Sequence, residues 1–309
     1  METPAPTAGQ CGSCKGKGYL IRRRGDRAGA EMCECARNCE RCGGLGYTYQ
    51  TQEETFSQRV GPRTYELVAP CGCRALRRRI EAFSRALVPA VVAHADFENY
   101  IEQTEVVLKA KQVAQSFASG YSRAEPPKGF VLSGPVGTGK THLLAAVLSH
   151  LTLEKGVSAQ YVEISLLFAT IRRGFHEGRS GGEIIGPLSE VEVVAIDELG
   201  KGRGSPFELD TLDELIARRY NAGRTTLFAT NFSLEREKRS VRSRAYQSTA
   251  ELTGVPSQPE LLREKVGERI YSRICEMCEV VELPQHTADW RYTKHEWGRS
   301  PGARRRLSR

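Results

Sequence analysis

The chain has 309 residues, 39% of them hydrophobic, with a formal net charge of +8 and a pI near 9.0. That length holds two domains or one large one, and the apolar fraction is enough for a proper core. No run of 18 apolar residues occurs and the first thirty residues lack an apolar signal core, so a cytoplasmic protein with no membrane partner is expected; its basic balance suits an anionic partner such as nucleic acid.

Residues 1–8 read as a loose tail. Residues 9–75 are rich in Cys, Gly and Arg and poor in aliphatic side chains, so they need staples in place of a core, and 1–75 are expected as a Cys-rich zinc-binding domain. Eight cysteines form two similar units. Cys11-x₂-Cys14-Lys-Gly-Lys-Gly-Tyr is closed by Cys33-x-Cys35, and Cys39-x₂-Cys42-Gly-Gly-Leu-Gly-Tyr by Cys71-x-Cys73. In a reducing compartment clustered thiols are metal ligands more often than disulfides. Zn²⁺ takes four ligands in a tetrahedron, so eight thiolates make two closed, structural Cys₄ sites. Each unit binds its own ion, or the outer pairs share one and the inner pairs the other. The small zinc domain is expected to dock a partner; a direct DNA contact through Arg22, Arg23 and Arg24 is the competing reading. Cys275 and Cys278 read as core residues of a buried helix.

Leu76, Ile80, Phe83 and Leu87 recur at helical spacing, and Pro89 interrupts them, so 76–104 is expected as a helical linker. In 105–291 helices are expected over 105–118, His142–Leu151, Leu166–Phe175 and Thr211–Tyr220. Strands are expected at Phe130–Leu132, Ala159–Ile164, Val191–Ile196, Thr225–Thr230 and Val280–Leu283. Strands alternating with helices imply an α/β domain with a parallel five-stranded sheet covered on both faces. Polar residues 236–262 read as an insertion or long loop, and 292–309 as a basic tail.

Gly134-Pro135-Val136-Gly137-Thr138-Gly139-Lys140-Thr141 fills the pattern G-x-x-x-x-G-K-[ST] after one expected strand and before the helix that His142 continues. Backbone N–H groups of such a loop close around phosphate oxygens, so ATP is the expected ligand. Lys140 is expected to reach the β- and γ-phosphates and Thr141 to ligate Mg²⁺. The apolar strand Val193-Val194-Ala195-Ile196 ends in Asp197, expected to hold Mg²⁺, and Glu198, expected as general base. Asn231, after the fourth strand, is the candidate sensor of the γ-phosphate. Arg269 and Arg273, four apart on one helix face, are candidates for an arginine finger offered to a neighbouring subunit; the bland reading pairs them with Glu264 and Glu268.

Gly134–Leu144, Val193–Asn231 and Gly267–Leu283 resemble the DnaC/DnaI helicase loaders, with the IstB transposition ATPases as close relatives; the lead-in Ala95–Tyr100 is similar too. The resemblance covers roughly residues 88–291. It implies a P-loop AAA+ domain with little or no helical lid, ATP-dependent self-association on single-stranded DNA, and delivery of a replicative helicase; if the transposition branch applies, it implies a helper that recruits a transposase. It places Arg172 and Arg173 along the DNA path and sets Arg291 where a family arginine often lies. A nucleotide-switched zinc adaptor is the remaining alternative. Cys-x-x-Cys-x-Gly-x-Gly is also similar to the zinc repeat of DnaJ-type chaperones, although only two of the four pairs keep it.

Overall fold

The computed structural model describes residues 11–55, 61–102, 104–234, 260–284, 287 and 289–290. The tail 1–8, most of the expected insertion, Arg291 and the tail 292–309 lie outside them. The chain divides into two compact units, Met1–His94 with Leu151–Ser158, and Ala95–His150 with Ala159–Arg309.

The first unit is built on two antiparallel hairpins that the sequence reading did not resolve. β1 (Tyr19–Arg24) pairs with β2 (Arg27–Met32), and β3 (Tyr47–Thr55) with β4 (Pro62–Pro70). Each hairpin leaves a C-x₂-C turn and returns to a C-x-C turn, so the strands close the two cysteine units. A single helical turn, α1 (Glu34–Arg37), joins them. α2 (Cys73–Arg85) begins on the last cysteine and buries Phe83. The small side chains of Ala28 and Ala30 are buried, and Ser84 Oγ accepts from the Ala30 N–H at 3.2 Å. The expected linker 76–104 is therefore divided. Its first part stays on β2, where the Ala28 N–H donates to Val88 O at 2.7 Å, while 95–104 belong to the second unit.

The second unit is a five-stranded parallel sheet in the order β6–β7–β8–β5–β9, with β5 at Gly129–Ser133, β6 at Ala159–Glu163, β7 at Val193–Asp197, β8 at Thr225–Thr230 and β9 at Cys278–Glu282. Every residue of β5, β7 and β8 is buried, as strands covered on both faces must be. Helices α3 (Glu105–Gly120), α4 (Lys140–Leu153), α5 (Ile164–His176), α6 (Gly181–Glu190), α7 (Pro206–Asn221), α8 (Leu262–Val266) and α9 (Glu268–Met277) complete it. α7 starts at Pro206, earlier than the expected Thr211, because Ser205 Oγ accepts from the Glu208 N–H and proline suits the first turn. α6 was not expected: Pro187 hides it, while a capping box between Ser180 and Glu183 starts it. The strand order sets β5 between β8 and β9, so the carboxyl ends of β5, β7 and β8 open side by side, where ligands bind in open α/β sheets.

Candidate active site

The glycine-rich loop runs from the end of β5 into α4. Gly134, Gly137 and Gly139 have φ of 149°, 76° and 85°, which side chains rarely tolerate. At Gly139 a Cβ would fall 2.6 Å from the Tyr100 ring, and the Tyr100 hydroxyl donates to Thr138 O at 3.0 Å, so the loop rests directly on the lead-in segment. His142 braces the same segment through Asp96 O, 2.9 Å from its Nε2. Within the loop Lys140 Nζ donates to Gly134 O and Pro135 O at 2.8 and 2.7 Å, and Thr138 Oγ1 to Pro135 O at 3.0 Å. Val136 is exposed at the tip, and the Trp290 N–H donates to Gly137 O.

β7 delivers the acids. Asp197 is buried, and its Oδ2 accepts from Thr141 Oγ1 at 2.6 Å and from the Tyr161 hydroxyl at 2.8 Å; its Oδ1 accepts from the Glu198 N–H at 2.8 Å. Burial, then the Asp197 charge, pushes the Tyr161 phenol well above its ordinary range, so it remains a donor. Glu198 stands at φ 56°, the left-handed region, where a residue without glycine's freedom costs strain; such strain concentrates at functional sites. Its carboxylate is paired with Lys201. Asn231 lies exposed at the end of β8, whose Thr230 O accepts from the Gly134 N–H. The residue types fit Mg²⁺ with a nucleotide: a hydroxyl and a carboxylate already in contact beside a glycine cradle form a hard oxygen set.

A family model described as IstB-like ATP binding protein matches residues 53–252, more than half of the chain. The chain belongs to this family. It is therefore an ATP-binding protein of the group that includes the DnaC helicase loaders. The replicative helicase loader DnaC of Escherichia coli (strain K12) is 28% identical over 158 residues, which are 50% of this chain and 62% of that protein. YdaV of the same strain is 30% identical over 146 residues, 46% of this chain and 56% of that protein. The chain thus spans less than two thirds of the length of these curated relatives. The crystal structure of the DnaC helicase loader superposes with a TM-score of 0.51 at 24% identity, over 63% of this chain and 99% of that one, a likeness of fold.

In this IstB-like chain the arginine pair on α9 has a partner the sequence did not suggest. Arg269 and Arg273 both reach Asp213 of α7, Arg273 Nη1 at 2.8 Å, rather than Glu264 or Glu268. The correction follows from packing: the i, i+4 face of α9 lies on α7. Arg269 is 72% exposed in its side chain and Arg273 26%.

On α5, Arg172 and Arg173 are both exposed, and Arg172 Nη1 donates to the buried Glu208 Oε1 at 3.2 Å. Arg172 lines a cavity of about 500 Å³ with Phe175, Arg203, Ser205, Phe207 and Glu208. Phe175 and Phe207 meet edge to face at 5.8 Å, and Phe175 is half exposed. The sequence missed this cluster, because Phe207 lies ahead of the expected helix Thr211–Tyr220 and nothing local joins it to Phe175.

The cysteine pairing is resolved by geometry. Cys11, Cys14, Cys33 and Cys35 form one cluster and Cys39, Cys42, Cys71 and Cys73 another, each with its sulfurs within 4.8 Å of one another. Sγ···Sγ distances are 3.7 Å for Cys11–Cys33 and Cys39–Cys71, and 3.5 Å for Cys14–Cys35 and Cys42–Cys73. A disulfide needs about 2.05 Å, whereas a tetrahedron of Zn–S bonds of about 2.3 Å sets sulfurs about 3.8 Å apart. The thiols fit Zn²⁺. Backbone N–H groups of Cys14 and Ser13 hold Cys11 down to about 6, and that of Gly46 holds Cys42 down to about 6; burial drives Cys35 up. Cys278 is buried, with its thiol on Thr226 O, but Cys275 is exposed, which corrects its reading as core. No helix among the described residues is long and apolar enough to cross a membrane.

Proposed function

We propose that this chain is a Mg²⁺-dependent ATPase that delivers a replicative helicase onto single-stranded DNA. The observation that carries the ATPase reading is the contact of Thr141 Oγ1 with Asp197 Oδ2 at 2.6 Å, with Glu198 next along the chain and a glycine cradle above. Residues 134–142 enclose the phosphates, and Lys140 leaves its loop carbonyls for the β- and γ-oxygens. Thr141 and Asp197 hold Mg²⁺, which when bound neutralises charge on the phosphates. Glu198 takes the proton of the attacking water, and Asn231 orients that water. Arg269, the more exposed of its pair, swings from Asp213 to a neighbouring subunit's nucleotide, with Arg273 behind it.

Two aromatic faces beside Arg172 and Arg203 suit single-stranded DNA: bases stack on rings while guanidiniums track phosphates. Arg173, exposed on the same helix, adds a phosphate contact. The first unit, stapled by two Zn²⁺ ions, is the docking domain. Its partner is the replicative helicase, as the name of the DnaC relative suggests. The resemblance to the IstB transposition ATPases leaves a second reading, a helper that recruits a transposase.

Capture from native cell extract by the full-length Glu198→Gln variant, held with ATP, tests this. Recovery of the replicative helicase, lost when Cys11 and Cys39 are also changed to serine, supports the loader reading and the docking role. Recovery of a transposase moves the purpose to the second reading. Unchanged ATP turnover by Glu198→Gln would sink the catalytic assignment.

A further inference from the structure

We propose that Tyr161 is a positioning residue for the divalent-cation site: its hydroxyl holds the Asp197 carboxylate in the orientation that meets Thr141. The inference rests on the reading of Thr141 and Asp197 as the Mg²⁺ ligands.

The terminal torsion of an aspartate is broad, so an unrestrained carboxylate samples many orientations. Here three donors fix it. Tyr161 OH and Thr141 Oγ1 both donate to Oδ2, at 2.8 and 2.6 Å, and the Glu198 N–H donates to Oδ1. Thr141 is expected to turn its oxygen to the cation, which leaves Tyr161 as the side-chain donor whose sole evident task is the carboxylate. Tyr161 is 4% exposed, so water does not compete for its hydroxyl.

The strand register explains the residue type. β6 and β7 are parallel neighbours in which Tyr161 lies opposite Ala195, and Glu163 opposite Asp197. Tyr161 therefore sits two positions short of the acid it serves. A serine or threonine there would fall short of Asp197, while a phenol spans the gap over the small side chain of Ala195. Phenylalanine fills the same space without the donor, so packing alone does not call for tyrosine.

The test is Tyr161→Phe in the full chain, read by binding of a fluorescent non-hydrolysable ATP analogue. Three quantities are compared with the parent: the Mg²⁺ concentration for half-maximal binding, the affinity in EDTA, and the melting temperature. Partners that orient metal ligands typically change metal affinity by about ten- to a hundredfold when removed. The expected result is a rise of about tenfold in half-saturating Mg²⁺, with affinity in EDTA unchanged. In an Asp197→Asn background the same substitution is expected to have no further effect on the Mg²⁺ response, because the tyrosine acts through that carboxylate. An unchanged Mg²⁺ response, with or without a lower melting temperature, overturns the proposal, as does an equal loss of affinity with and without Mg²⁺. A parent protein whose analogue binding ignores Mg²⁺ overturns the ligand reading together with it, and is told apart because no variant is needed to see it.

Discussion

Lys201 Nζ sits on Glu198 Oε2 at 2.5 Å, three residues beyond the acid expected to activate water. The ammonium lies on the side chain proposed to take the water's proton. The pair is partly exposed, 57% and 31% by side chain, so its grip is modest. Loops carrying Lys201 also carry Arg203 and Ser205 into the cavity beside α5. Lys201→Met is expected to raise basal phosphate release by roughly two- to fivefold, the equivalent of a weak ion pair of about 0.5–1 kcal/mol. A fall in steady-state turnover would show that Lys201 serves the chemistry instead.

The two cysteine clusters predict a specific zinc stoichiometry. Cys14 and Cys33 belong to one cluster. Changing both to serine is expected to remove a single equivalent of zinc and leave the second, measured by a colorimetric chelator on denatured protein. Had the outer and inner pairs shared ions, the same double change would remove both.

Phe175 and Phe207 predict a stacking contribution to DNA binding. Phe175→Ala is expected to weaken binding of a short oligothymidylate by roughly tenfold, since each stacked base is worth about 1–3 kcal/mol. Arg173→Ala should instead lower the dependence of binding on salt, with a slope change of about one or less. Fluorescence anisotropy across a salt series separates the two effects; an unchanged affinity for Phe175→Ala would remove the cavity from the DNA path.

Arg219 is fully buried and ties three elements together. Its guanidinium donates to Leu188 O, Val191 O and Glu192 O, to Thr225 O, and through Nε to Thr226 Oγ1. Arg219→Met keeps the volume but strands these carbonyls, so a loss of roughly 3 kcal/mol of unfolding free energy is expected. Urea denaturation measures it, and a loss below about 1 kcal/mol would show that water replaces the guanidinium.

Much of the second unit was legible along the chain because its signals are local. The phosphate loop is eight consecutive residues, and β7 announces itself as an apolar run ending in two acids; both need only backbone geometry over a few positions. The two hairpins of the first unit were not legible, since β1 ends in three exposed arginines and β4 is largely exposed, so neither alternates as a half-buried strand does. α6 was hidden by Pro187, and the start of α7 by the glycines before Ser205. The sequence by itself determined which chemistry the chain carries: a nucleotide loop, a paired acid and eight thiols in repeated spacing. Only the tertiary structure decided which thiols share a cluster, that Asp213 takes both arginines of α9, and that Tyr161 reaches Asp197. Each of these joins side chains from separate segments, and their meeting depends on strand register and helix packing, which no local spacing encodes.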